Sequence, residues 1–274
     1  MSVRDQLRVR PRRGLVDLDV LDPSETHGVK RYEADDRLLA DEEHIMSLQD
    51  CLHAEGKRSV LIVLQGMDTS GKDGTVRYAL RGLNPQGVRI VSFKAPTPSE
   101  RRHDFLWRVR RQLPRRGEIV IFNRSHYEDV LIAKVRELAP PKVIDERYGI
   151  INRFEAGIVK HGTALVKVFL HISEEEQRTR LLARLREPDK HWKFSGTDIS
   201  ERRSWDEYQA AYSAALGRCS TAAAPWYVVP ANRKWYRNWA VSQLLIETME
   251  DMKCSYPNPH LDVRALKKSL QAAA

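Results

Sequence analysis

The chain has 274 residues, 42% of them hydrophobic and 30% charged, with a formal net charge of +9. That length holds one large α/β domain or two small ones, and the excess of cations favours a polyanionic partner. Three widely spaced cysteines, Cys51, Cys219 and Cys254, argue against a disulfide framework or a zinc site, and no apolar run approaches membrane-spanning length. The basic stretch 1–13 is followed by no apolar core, so it is not read as a secretory signal, and a cytoplasmic location is expected.

Residues 1–36 are basic, then acidic, with little periodicity. They read as an extended arm that packs over the domain or reaches a neighbouring subunit, with partial disorder as the alternative. An apolar stripe at Leu38, Leu39, Ile45, Met46, Leu48 and Leu52 predicts a helix over 36–54. Strands are expected at 59–65, 88–93, 118–122, 164–171 and 225–229. Between them the pattern predicts a helix after residue 71, one from about 99 to 112, one from about 127 to 139 and one over 144–161. Ser173 followed by three glutamates marks a capped helix start, and 234–253 reads as the last helix of the catalytic domain, with 257–274 left as a tail. Strands alternating with helices imply a parallel sheet covered on both faces.

The chemistry centres on Gly66-Met67-Asp68-Thr69-Ser70-Gly71-Lys72-Asp73-Gly74-Thr75, between the first strand and a helix start. Such a turn presents backbone N–H groups and a helix N-terminus to a phosphate, and Lys72 reaches the outer oxygens as a point charge. Asp73 stands where a phosphate loop of this kind carries a serine or threonine, and a second carboxylate, Asp68, lies inside the loop. A carboxylate and a phosphate oxygen at about 4 Å repel by roughly 4 kcal/mol at an effective dielectric near 20. A cation between them removes that conflict. Asp68 is therefore read as a magnesium ligand, direct or through water; Asp73 assists it or caps the helix.

The third strand leads into Asn123-Arg124-Ser125-His126-Tyr127-Glu128-Asp129. In an open parallel sheet ligands sit beyond the carboxyl ends of the strands, so this cluster and the loop face one crevice, with Lys94 pointing at it from the second strand. Arg124 is expected to meet the phosphates opposite Lys72. Glu128 contacts metal or its waters, orients an acceptor, or forms a solvated helix start; Asp129 is read as the last of these, and His126 as structural. Arg178, Arg180, Arg184, Arg186, Lys190 and Lys193 form a cationic stretch, read as a lid over about 178–200.

These segments, together with Ser92-Phe93-Lys94-Ala95-Pro96, Asp104-Phe105-Leu106-Trp107-Arg108, Trp192-Lys193-Phe194-Ser195 and Pro225-Trp226-Tyr227-Val228-Val229-Pro230, closely resemble the polyphosphate kinase 2 family over residues 30–255. The resemblance implies a three-layer α/β/α P-loop kinase-like fold with a five-stranded parallel sheet and helical lid. It also implies Mg2+ dependence, with Mn2+ as a substitute, and a homo-oligomer, dimer or tetramer. The implied activity moves phosphoryl groups between inorganic polyphosphate and purine nucleotides, AMP to ADP and ADP to ATP, with guanine nucleotides as further acceptors. On the same resemblance Asp68 is the metal-coordinating acid, Lys72 the phosphate lysine and Arg124 the phosphate arginine, with Arg180 or Arg184 as the lid arginine. The rest of the expected substrate-binding set is Gly66, Thr69, Ser70, Gly71, Asp73, Gly74, Thr75, Lys94, Asn123 and Lys193. Glu128 resembles the subgroup acting on both mono- and diphosphates. The rival readings are an ATP-dependent nucleoside monophosphate kinase and a basic nucleic-acid-binding protein; neither a nucleic-acid nor a membrane partner is expected.

Overall fold

The computed structural model describes residues 1–194 and 196–273; the side chains of residues 193, 197 and 198 lie outside the described set. In chain order the elements are α1 (Val3–Leu7), α2 (Arg31–Glu55), β1 (Ser59–Gln65), α3 (Lys72–Ala79), β2 (Val88–Ser92), α4 (Trp107–Arg110), β3 (Ile119–Asn123) and α5 (Ile132–Val135). They continue with α6 (Pro141–Lys160), β4 (Thr163–His171), α7 (Glu174–Arg186), α8 (Gly196–Arg203), α9 (Trp205–Cys219), β5 (Trp226–Pro230), α10 (Lys234–Met252) and α11 (Val263–Ala272).

The five strands form one parallel sheet in the order β2-β3-β1-β4-β5. β1 is central because it is apolar on both faces; every residue of it is buried. α10 packs against β4 together with α2 and α3, while α6 packs against β4 with α9 and α5 beyond it. The result is the three-layer α/β/α arrangement expected, and it places β1 and β3 side by side with their carboxyl ends at one edge.

The N-terminal arm packs on the body. Leu7, Val9, Val16 and Leu18 are buried, and the Val9 amide donates to the Trp226 carbonyl at 2.8 Å, beside the β5 edge. Local chemistry also sets the helix starts. Ser173 accepts from the Glu176 amide as an N-cap, and Pro141 opens α6 where its missing N–H costs nothing, three residues earlier than periodicity predicts.

Two expected helices are broken. Over 99–112 only a 3-10 turn (Glu100–Arg102) and the short α4 form. Asp104 accepts from the Leu106 amide and binds Arg110 at 2.8 Å, so its side chain turns the chain where a helix would continue. Over 127–139 a 3-10 turn (His126–Asp129) precedes α5, because Ser125 caps the turn and Tyr127 is drawn into the core to bond Glu155. No helix of the described residues is long and apolar enough to cross a membrane.

Candidate active site

The loop between β1 and α3 depends on two glycines. Gly66 has φ +153, and a Cβ there would lie 2.7 Å from Ser70 Oγ and 2.8 Å from the Leu170 carbonyl. Gly71 has φ +104, and a Cβ there would overlap the Arg237 guanidinium at 1.8 Å. Thr69 and Arg124 also take the left-handed backbone, at φ 65 and 63. Such strain clusters where a structure holds functional groups in place.

Lys72 is nearly buried, and its ammonium donates to the Gly66 carbonyl at 2.8 Å and the Met67 carbonyl at 3.1 Å. Burial and the neighbouring Arg124 push it down to about 8, against the pull of Asp68, Glu128 and Asp73. Arg124 donates to Asp68 at 2.7 Å and lies 3.8 Å from Glu128. Burial works against the Arg124 charge, but Glu128 and Asp68 more than restore it. Burial likewise opposes the Asp68 charge, yet Lys72, a hydrogen bond with Glu201, Arg124 and Arg184 together hold it down to about 2. Glu201, from α8, is the counterpart: burial and its hydrogen bond with Asp68 push it up to about 8, so the two carboxyls share a proton near neutrality. Glu128 is raised by burial, offset in part by Arg124 and Lys72.

Two concavities meet at Asp68 and Arg124. The larger, about 790 Å³, is a groove running past the loop. From the expected set it gathers Asp68, Thr69, Gly71, Lys72, Asp73 and Gly74 of the loop and its helix, with Lys94, Asn123, Arg124, Arg180 and Arg184 from three other segments. Lys190, Lys234 and Arg237 also line it. Eight cationic side chains therefore face three carboxylates, Asp68, Asp73 and Glu187. The smaller cavity, about 20 Å³, is lined by Gly66, Asp68, Arg124, Glu128 and Gln177, and is closed by Glu201, Tyr208 and Tyr212. Glu128 is thus no solvated helix start. Tyr208 and Tyr212 are buried and also line the cavity.

Several expected contacts fall elsewhere. Ser70 and Thr75 are fully buried and line neither concavity; the Thr75 hydroxyl donates to the Gly71 carbonyl. Asp73 accepts from Asn123 at 2.7 Å, joining the start of α3 to the end of β3, while Gly71 occupies the helix N-cap. Arg180 reaches the groove but is a clamp. Its guanidinium donates to the Thr69, Ser70, Ala231 and Asn232 carbonyls at 2.6 to 3.0 Å and to Glu176 at 2.7 Å. With its donors committed, Arg180 fastens the loop to the segment after β5; Arg184, one turn further along α7, also lines the groove. Asp129 pairs with Arg147, whose guanidinium donates to its carbonyl at 2.7 Å. The Lys193 side chain lies outside the described residues.

Sequence reasoning placed Lys190 in the lid but missed Arg237, Lys234, Gln177 and Glu201. Arg237 and Lys234 lie in the cation and aromatic run 233–237, which only the fold brings beside the loop. Burial beside Arg180 pushes Arg237 down to about 10. For Glu201 the sequence holds no signal, since nothing local marks a lid residue that folds back over 130 positions.

Among the described residues no group of three histidine, cysteine or acidic side chains is arranged to hold a metal ion by itself. Magnesium is ordinarily held by one or two carboxylates together with substrate phosphates. Asp68, ionised at the mouth of the loop, suits that role.

The sheet order, the glycine-bracketed loop and the cationic groove define a P-loop phosphotransferase of the α/β/α class. A family profile described as polyphosphate kinase 2 matches residues 28–257. The chain is 50% identical over 92% of its length to an AMP/ADP-polyphosphate phosphotransferase of Meiothermus ruber, covering 95% of that protein. It is 46% identical to an ADP-polyphosphate phosphotransferase of Rhodopseudomonas palustris over 78% of each chain. The crystal structure of polyphosphate kinase 2 from Arthrobacter aurescens superposes with a TM-score of 0.94 at 42% identity, covering 100% of this chain and 98% of that one. The chain belongs to the polyphosphate kinase 2 family.

Proposed function

We propose that this protein transfers phosphoryl groups between inorganic polyphosphate and adenine nucleotides, converting AMP to ADP and ADP to ATP, with GDP as a further acceptor. The observation that carries the reading is the groove itself: eight cations beside a phosphate loop, a match for a donor that offers only phosphates as handles. The names of the relatives, AMP/ADP-polyphosphate and ADP-polyphosphate phosphotransferases, support both substrates.

Polyphosphate lies along the groove, and the acceptor enters on the Glu128 side, so that donor and acceptor meet at Asp68 and Arg124. An acceptor phosphate oxygen attacks the terminal phosphorus; the new P–O bond forms as the bridging P–O bond to the chain breaks, and the shortened polyphosphate leaves as an anion. The attacking oxygen is already ionised, so no general base is required. Lys72 and Arg124 stabilise the charge spread over the equatorial oxygens, and Arg184 closes on it from the lid. Asp68, together with the phosphates, would hold magnesium, or manganese in its place, and the ion would neutralise charge there.

The small cavity holds about 20 Å³, whereas small-molecule sites are commonly about 300–1,000 Å³. We therefore infer that α8, with Glu201, swings away to admit the nucleotide and returns to exclude water. The protein acts as a cytoplasmic homo-oligomer, dimer or tetramer.

The test incubates the protein with magnesium, polyphosphate and AMP, and follows ADP and ATP by chromatography. Both products should appear. Product from ATP plus AMP with none from polyphosphate would instead establish a nucleoside monophosphate kinase.

A further inference from the structure

The outer face of α2 carries an exposed apolar row, and the tail helix α11 is amphipathic and exposed along its described residues. Along α2, Tyr32, Leu39 and Met46 recur every seven residues and are 58%, 70% and 44% exposed. Asp36, Glu43 and Asp50, also seven apart and exposed, run alongside them. Side chains at this spacing form one seam on a helix, here apolar with an acidic border. The opposite face of α2, with Ile45 and Leu52, is the one buried in the body.

α11 is the complement. Val263, Leu266 and Leu270 lie at i, i+3 and i+7 and are 54%, 48% and 74% exposed, with Lys267 beside them and Arg264 and Lys268 further round. Every described residue from 255 onward is exposed. The chain leaves the body where Arg58 donates to the carbonyls of Met252 and Lys253, next to the C-terminal end of α2. Pro257 and Pro259 then stiffen the linker and carry α11 outward. A stiff linker that projects a helix away from its own body favours exchange between identical chains over folding back.

We propose that α11 of one copy docks on the Tyr32–Leu39–Met46 seam of a second copy, its lysines and arginine facing the acidic border, and that the second copy reciprocates. The exchange is isologous, so each dimer makes the contact twice. Neither surface reaches the phosphate groove; assembly can fail while transfer persists.

Sedimentation equilibrium on the full chain tests this, alongside Leu266→Asp/Leu270→Asp and, separately, Leu39→Asp. Circular dichroism and phosphotransfer at high protein concentration verify the fold. The expected result is a self-associated full chain whose dissociation constant rises at least tenfold in each variant. Glu43→Lys should weaken association as well, and Lys267→Glu added to it should recover at least threefold. A monomeric full chain would overturn the proposal, as would dissociation constants within twofold of the full chain in correctly folded variants. Loss of association in the tail variant with none in Leu39→Asp would overturn α2 as the seat.

Discussion

Lys167 and Glu155 form a 2.6 Å ion pair with both side chains shut off from water, directly behind the turn that carries Arg124 and Glu128. Lys167 also donates to the Tyr127 hydroxyl at 2.9 Å and the Cys219 carbonyl at 2.7 Å, and Glu155 accepts from Tyr127 and bonds His126. Burial opposes the Glu155 charge, but Lys167 and His126 hold it below the usual carboxylate range. Removing one partner of such a pair leaves an uncompensated buried charge, at a cost of about 3–5 kcal/mol. Lys167→Met is expected to lose stability on that scale in urea titration. Where it still folds, kcat should fall too, because His126 and Tyr127 sit between Arg124 and Glu128 in the chain.

Lys72→Ala and Asp68→Ala should each lower phosphotransfer by about 10²–10³ or more, the loss typical of one preorganised group at a developing charge. Lys72→Ala should keep the native circular dichroism spectrum and melt at or above the wild-type temperature, since a cation held down to about 8 by burial is a strained guest. Full activity in either variant would remove these two residues from the chemistry.

Glu128→Asn should change the ratio of monophosphate to diphosphate turnover, measured by chromatography with AMP and ADP in parallel. Glu128 lines the small cavity and lies 3.8 Å from Arg124, so its loss alters both the charge and the width of the acceptor side. An unchanged ratio would place acceptor choice elsewhere.

The Glu201 carboxyl makes stability depend on pH. Its value is near 4.5 when unfolded and about 8 in the fold, so the folded state keeps a proton that the unfolded chain has lost. The associated stability is complete below pH 4.5 and is lost as pH rises through 8. Denaturant midpoints should therefore fall between pH 5 and 8.5 in the native chain, and fall less in Glu201→Gln. Equal slopes in the two proteins would remove the shared proton.

Arg180→Lys should destabilise the loop, whereas Arg184→Lys should affect turnover. A lysine cannot span four carbonyls on two segments. Hydrogen exchange at 69–72 should quicken in the first variant and stay native in the second, with kcat reduced in both.

The strands were legible because β1, β3 and β4 are near-continuous apolar runs, which only a strand buried on both faces requires. The loop was legible because its glycines are spaced by a mechanism. The broken helices over 99–112 and 127–139 were not, since Asp104 and Tyr127 override local propensity through partners on other segments. α9 carries no side-chain cap to announce it; α11 does, at Asp262, but it follows a proline-containing stretch that reads as a tail. The roles of Arg180 and Arg237 were hidden for a similar reason. Only folding reveals which arginine is spent on carbonyls and which one wedges against Gly71.

The commitment of Arg180 to main-chain oxygens divides the molecule at a useful seam. The loop it clamps belongs to a preset receptacle, while Arg184 and Lys190 lie beyond the rivet on the groove wall. Closure over the groove is therefore separable from the Glu128 side that meets the acceptor, and a lid exchanged across that boundary should leave the receptacle as it is.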